Sequence, residues 1–157
     1  MIRLQKILVP IDFSENSKKA VRYGVAFAKD RKAQLTFLHV INQRIIDAVQ
    51  EMSIRGYKGD FVEALKKLIK DREDEMLQFV PEAWRQDLEV DFQIRKGRPA
   101  DEINNFAKEN GIDMIIMGTS GRSAIATAFL GSVARSVVNH AVCPVLVVRP
   151  IGHDFIE

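Results

Sequence analysis

Apolar runs and helix-spaced stripes alternate along this chain from end to end. Residues 6–11 (Lys-Ile-Leu-Val-Pro-Ile) read as an aliphatic strand and residues 35–41 as a second. Between them Ala20, Tyr23, Gly24, Phe27 and Ala28 recur at three-and-four spacing, which predicts a helix over 16–31. Ser14 is the candidate N-cap, with Glu15 and Ser17 in support. A longer helix is expected over 61–80, with Phe61, Leu65, Leu68, Ile69, Met76 and Phe79 on one face and Pro81 ending it. The alternation of Val90, Phe92 and Ile94 predicts a third strand over 89–95, nearer an edge. A helix over 100–109 is stopped by Gly111, and residues 112–117 form the fourth strand. A helix after Gly131 leads to a fifth strand over 144–148, closed by Pro150. The irregular region is 42–59, where Ile45, Ile46, Val49 and Met52 fit a short amphipathic helix broken by Gly56 and Gly59. A packed connecting helix and a flap beside a ligand both remain open for it.

Repeated β-α units select an α/β fold: an open, doubly wound, five-stranded parallel sheet with helices on both faces. The first and fourth strands are the most continuously aliphatic and are placed centrally, which gives the order 3-2-1-4-5. The strand order then reverses between them. Ligands of open parallel sheets bind at that crevice, here flanked by Pro10-Ile-Asp12 and Met117-Gly118.

The glycines fall at the same place. Gly118, Gly121 and the Gly131-Ser132 pair stand as Gly-x2-Gly-x9-Gly-Ser between the fourth strand and the next helix. Glycines at such a junction let backbone amides approach an anion, and the helix start aims its positive end at it. Phosphate is the expected guest. Each residue also has a plainer reading: Gly118 and Gly121 as turn residues, Ser132 as an ordinary N-cap, Asp12 as a helix cap with Ser14. No Gly-Lys-Ser/Thr supplies a lysine for the terminal phosphates. Arg122 is the candidate for that charge, with simple solvent exposure as its alternative. No paired carboxylate, Ser-His-Asp set or His-x-x-x-His spacing offers a base to activate water. His39 reads as a core histidine, and His140 suits a helix C-terminus.

Composition narrows the classes. A chain of 157 residues, 46% hydrophobic, is expected to form one domain over 1–157. The net charge is +2 and the basic residues of 66–72 are interleaved with acidic ones, so no nucleic-acid surface is expected. The single cysteine, Cys143, excludes an internal disulfide and lies in an apolar run, as a buried inert thiol would. No apolar stretch approaches the roughly 20 residues that cross a bilayer, so no membrane partner is expected. Asp12 interrupts the N-terminal apolar run too early for a signal peptide, and the expected location is cytoplasmic.

A set of segments carries a family likeness: residues 6–14 (Lys-Ile-Leu-Val-Pro-Ile-Asp-Phe-Ser), Leu38-His-Val40, Gly97-Arg-Pro99, residues 118–123, Leu130-Gly-Ser-Val133 and residues 140–149. In this order, across the full chain, they resemble the universal stress protein family, and the complete glycine pattern resembles its ATP-binding branch. The resemblance implies a dimeric α/β domain with ATP as ligand. It implies that Asp12 faces the adenosine and that the Val40 backbone contacts adenine. Gly118, Gly121, Gly131, Ser132 and Val133 then hold ribose and phosphates, with Pro10 and Gly97 as wall residues. Mg2+ or Mn2+ would ride with the phosphates, since the chain shows no dedicated metal cage.

Val142 to Val148 is apolar on both alternating sets, and the topology puts it at a sheet edge. Such an edge invites pairing with the same strand of a second copy under two-fold symmetry, unless a helix or the tail 151–157 covers it. The expected function is a nucleotide-dependent regulatory or stress-response module with little or no turnover. A slow ATPase and a dimeric interaction protein that binds no nucleotide are the alternatives.

Overall fold

The computed structural model describes residues 1–56, 59–119 and 130–157. The elements run in order β1 (Lys6–Pro10), α1 (Glu15–Arg31), β2 (Gln34–Asn42), α2 (Gln43–Ile54), α3 (Phe61–Phe79), α4 (Glu82–Arg85), β3 (Val90–Gly97), α5 (Pro99–Asn110), β4 (Met114–Gly118), α6 (Ser132–His140) and β5 (Val145–Val148). Their strands pair in one parallel sheet in the order β3-β2-β1-β4-β5. The expected fold class and strand order are therefore those observed.

Strand alternation sends side chains to two cores, one on each face of the sheet. Ile7, Val9, Leu35 and Phe37 join Ala20, Val21 and Ala28 of α1 and Met76 of α3. Leu8, Leu38 and Ile115 join Ile103, Phe106 and Ala107 of α5 and Ala134 and Val137 of α6. Helices thus cover both faces. Phe37, Ile7, Leu8 and Ile115 are fully buried, as a central parallel sheet requires.

Helix boundaries follow local chemistry. Ser14 caps α1, its hydroxyl accepting from the Ser17 amide at 3.2 Å. Gly111 ends α5 with φ 62°, the left-handed geometry a glycine adopts freely. Gly56 and Gly59, at φ 77° and 68°, break the chain after α2. Residues 43–54 are a helix with Ile46 as its buried residue, which bears out the expected amphipathic helix in this region. Three local readings need correction. Pro81 does not simply terminate α3, because it also starts the single turn α4. The last strand begins at Val145, leaving Val142 exposed outside it. Cys143 is half-buried rather than buried, though burial still pushes its thiol above its ordinary pKa.

Candidate functional site

The site grows from the C-terminal ends of β1 and β4. Ile7 pairs with Met114 and Leu8 with Ile115, so Pro10 and Gly118 emerge at the same end of the sheet. Pro10 is buried at the close of β1. Beyond it, Asp12 is exposed, and its Oδ1 accepts from the Ser14 amide at 3.0 Å and from the Ser14 hydroxyl. The capping role of Asp12 is thus real, while its Oδ2 has no bond among the described residues.

The turn between Asp12 and Ser14 is held in an unusual way. Phe13 has φ 65°, a left-handed conformation that a bulky residue adopts only under constraint. Its ring packs on His39 at 4.7 Å and edge-on against Phe79 at 5.5 Å. The Nδ1–H of His39 donates to the Ile11 carbonyl at 2.7 Å, and the Ile11 amide donates to the Leu38 carbonyl at 2.8 Å. Burial holds the His39 pKa below its ordinary value, which keeps the ring neutral. The histidine therefore clamps the exit of β1. No sequence signal marked Phe13, because a left-handed phenylalanine has no local signature.

Gly118 closes β4 for a reason that is not a turn. A Cβ there would meet the backbone carbon and oxygen of Asn16 at 2.8 Å, in the first turn of α1. Glycine lets α1 lie directly on the strand end. Thr119 follows, with its carbonyl accepting from the Gly131 amide at 2.8 Å. That bond ties the two ends of the segment that carries Gly121 and Arg122, which lie outside the described residues. The Thr119 hydroxyl is buried and finds no partner among the described residues.

Gly131 rather than Ser132 is the N-cap of α6, with φ −60° and ψ 162°, which any residue can adopt. It provides no side-chain cap, so the amides at the start of α6 go uncapped by any described side chain. The amide of Gly131 itself is spent on Thr119. Ser132 and Val133 are exposed at this helix start, and Val133 keeps 37% of its surface. A helix start of this kind presents partial positive charge to an anion.

The structure brings Pro10, Asp12, Gly118, Gly131, Ser132 and Val133 to the reversal of strand order. Val40 lies on β2, one strand from β1, and is buried. Gly97 is farther off, closing β3 opposite Asn42 at the sheet edge, with φ 142°. Sequence reasoning missed Thr119 as the anchor of the 120–130 segment, although its place between Gly118 and Gly121 was the available signal. Among the described residues no group of three or more His, Cys, Asp or Glu side chains could hold a metal ion. No helix among them is long and apolar enough to cross a membrane.

An open parallel sheet whose order reverses beside an uncapped helix start defines a doubly wound α/β protein with its crevice at the strand C-termini. The family model for the universal stress protein family matches residues 3–149, and the chain belongs to that family. It is 33% identical to the universal stress protein YxiE of Bacillus subtilis over 92% of this chain and 98% of that one. The solved structure of MJ0577, named a universal stress protein of Methanocaldococcus jannaschii, superposes with a TM-score of 0.79 at 32% identity. That superposition covers 97% of this chain and 100% of the other. A universal stress protein from Archaeoglobus fulgidus, solved in complex with dAMP, shares the fold at a TM-score of 0.63 and 22% identity, over 94% and 100% of the two chains.

Proposed function

We propose that this protein is an ATP-binding regulatory module that holds its nucleotide without rapid turnover. The observation that carries the reading is the start of α6, uncapped by any described side chain and tied to the end of β4 by the Thr119–Gly131 bond. The amides there suit phosphate, and the buried Thr119 hydroxyl, without a partner among the described residues, is a polar group that a ligand could satisfy. Asp12 would take a ribose or adenine donor on its free oxygen, and the Val40 backbone would meet the base. Gly118, Gly121, Gly131, Ser132 and Val133 would surround ribose and phosphates, Arg122 would add charge, and Pro10 and Gly97 would form outlying walls. Bound Mg2+ or Mn2+ would neutralise phosphate charge. That a protein of this fold was solved with dAMP supports an adenine nucleotide as a guest the fold can accept.

Low turnover is argued from the sequence, which offers no paired carboxylate, Ser-His-Asp set or His-x-x-x-His spacing to activate water. We further propose one domain that pairs in solution as a homodimer through the edge strand β5 and acts in the cytoplasm. Among the described residues β5 has β4 as its strand neighbour and nothing beyond. Residues 154–156 fold against α1, so no strand from the tail covers that edge. Extraction of freshly purified protein followed by chromatography and mass analysis tests the nucleotide. Co-purified adenine nucleotide is expected, and its absence together with no uptake of added ATP refutes the reading. Steady-state phosphate release above roughly one per second would instead favour an ATPase.

A further inference from the structure

The family match ends at Arg149, yet residues beyond it make specific contacts with α1. The Asp154 carboxylate lies 2.9 Å from the Lys19 ammonium and accepts from the Tyr23 hydroxyl at 2.7 Å. The Lys19 ammonium also donates to the Pro150 carbonyl at 3.4 Å. Phe155 sets its ring edge-on to Tyr23 at 5.3 Å and to Phe27 at 6.3 Å, and Ile156 packs against the core beneath. Lys19, Tyr23 and Phe27 recur every fourth residue and so form one stripe along α1. Tyr23 is only 4% exposed, and its hydroxyl finds its partners in the tail, donating to the Asp154 carboxylate and accepting from the Phe155 backbone amide. Burial and the neighbouring carboxylate both raise its pKa, while Lys19 and Tyr23 hold that of Asp154 low.

The helix gripped by this tail is the one whose first turn lies on Gly118 and whose cap is tied to Asp12. Contacts made at Lys19, in the second turn, therefore bear on both walls of the crevice. Packed elements move as units rather than bending freely, so a helix released along its outer face loses definition at its start. We propose that residues 150–157 are a latch that fixes α1 against the strand ends and thereby sets the affinity of the crevice. The coupling to affinity rests on the nucleotide reading above; the latch itself does not.

The test uses the full chain carrying Asp154→Ala and Phe155→Ala together, compared with wild type in two measurements. Amide hydrogen exchange over residues 15–23 should quicken about tenfold in the variant while β1 and β4 stay protected. ATP affinity, by calorimetry, should fall about fivefold. Asp154→Asn keeps an acceptor for Tyr23 and Lys19 and should preserve most of both properties. Unchanged exchange in α1 overturns the latch. Loosened α1 with undiminished affinity overturns its link to the crevice. Wild type that takes up no ATP refutes the nucleotide reading and with it the link, while the exchange data still decide whether the tail holds α1.

Discussion

Replacing Gly118 with alanine places a methyl group against main chain, which cannot rotate away. The new Cβ would stand 2.8 Å from the carbon and oxygen of Asn16 and 3.0 Å from its Cβ. Carbon atoms meet comfortably at ~3.5 Å, so α1 must retreat by roughly half an ångström or more. The retreat strains the Ser14 cap and moves Ala20, Val21 and Gly24, which are buried against the sheet. Overpacking of this kind costs about 1–3 kcal/mol. For a chain of this size each kcal/mol lowers Tm by about 2–4 °C, giving an expected fall of roughly 2–12 °C. Differential scanning calorimetry of Gly118→Ala measures it directly. Gly111→Ala is the comparison: nothing lies within 4 Å of its Cβ, and only the left-handed φ of 62° is strained, at a cost of about 1–2 kcal/mol. A Gly118→Ala protein melting within a degree of wild type would refute the close approach of α1 to β4.

Three further outcomes follow from the geometry. The pKa of His39 is depressed, so the unfolded chain takes up its proton first as pH falls below the ordinary 6.5. Its neutral form stabilises the fold above that pH, and the benefit drains away down to the depressed value. Denaturant melts of wild type and His39→Gln between pH 7.5 and 5 should converge on acidification, and parallel curves would contradict this. Ser14→Ala removes the cap on α1 and should cost about 1 kcal/mol, read as a lowered urea midpoint with an unchanged m-value. Leu146→Lys on the edge strand should shift sedimentation from dimer to monomer with the circular dichroism spectrum retained. A wild type that sediments as a monomer at micromolar concentration would remove the dimer.

Local chemistry was readable where it was self-contained. Ser14, Gly111, Gly56 and Gly59 each announce a cap or break through their own backbone or side-chain preference, and each does so in the structure. The 3-2-1-4-5 order followed from aliphatic continuity and crossover rules alone. The site was legible as a location but not as a set of causes. Gly118 signals close approach, yet what approaches is the backbone of Asn16, far away in sequence. Ser132 was open to reading as an ordinary N-cap, but Gly131 is the cap and the serine is the first residue inside the helix. Phe13 is left-handed because His39 and Phe79 hold it, contacts that no local pattern encodes. The turn α4 was missed because proline ends one helix as readily as it begins another.

The central claim is that the start of α6 holds the phosphates of an adenine nucleotide. Gly131 has a backbone conformation open to every residue, so Gly131→Val places a branched side chain beside those amides without straining φ. Titration of ATP into both proteins by isothermal calorimetry is the direct measurement. Saturable binding by wild type, weakened at least about tenfold in a variant with an unaltered circular dichroism spectrum, is the expected result. Equal ATP affinity in the two proteins, or none in wild type, would contradict the claim.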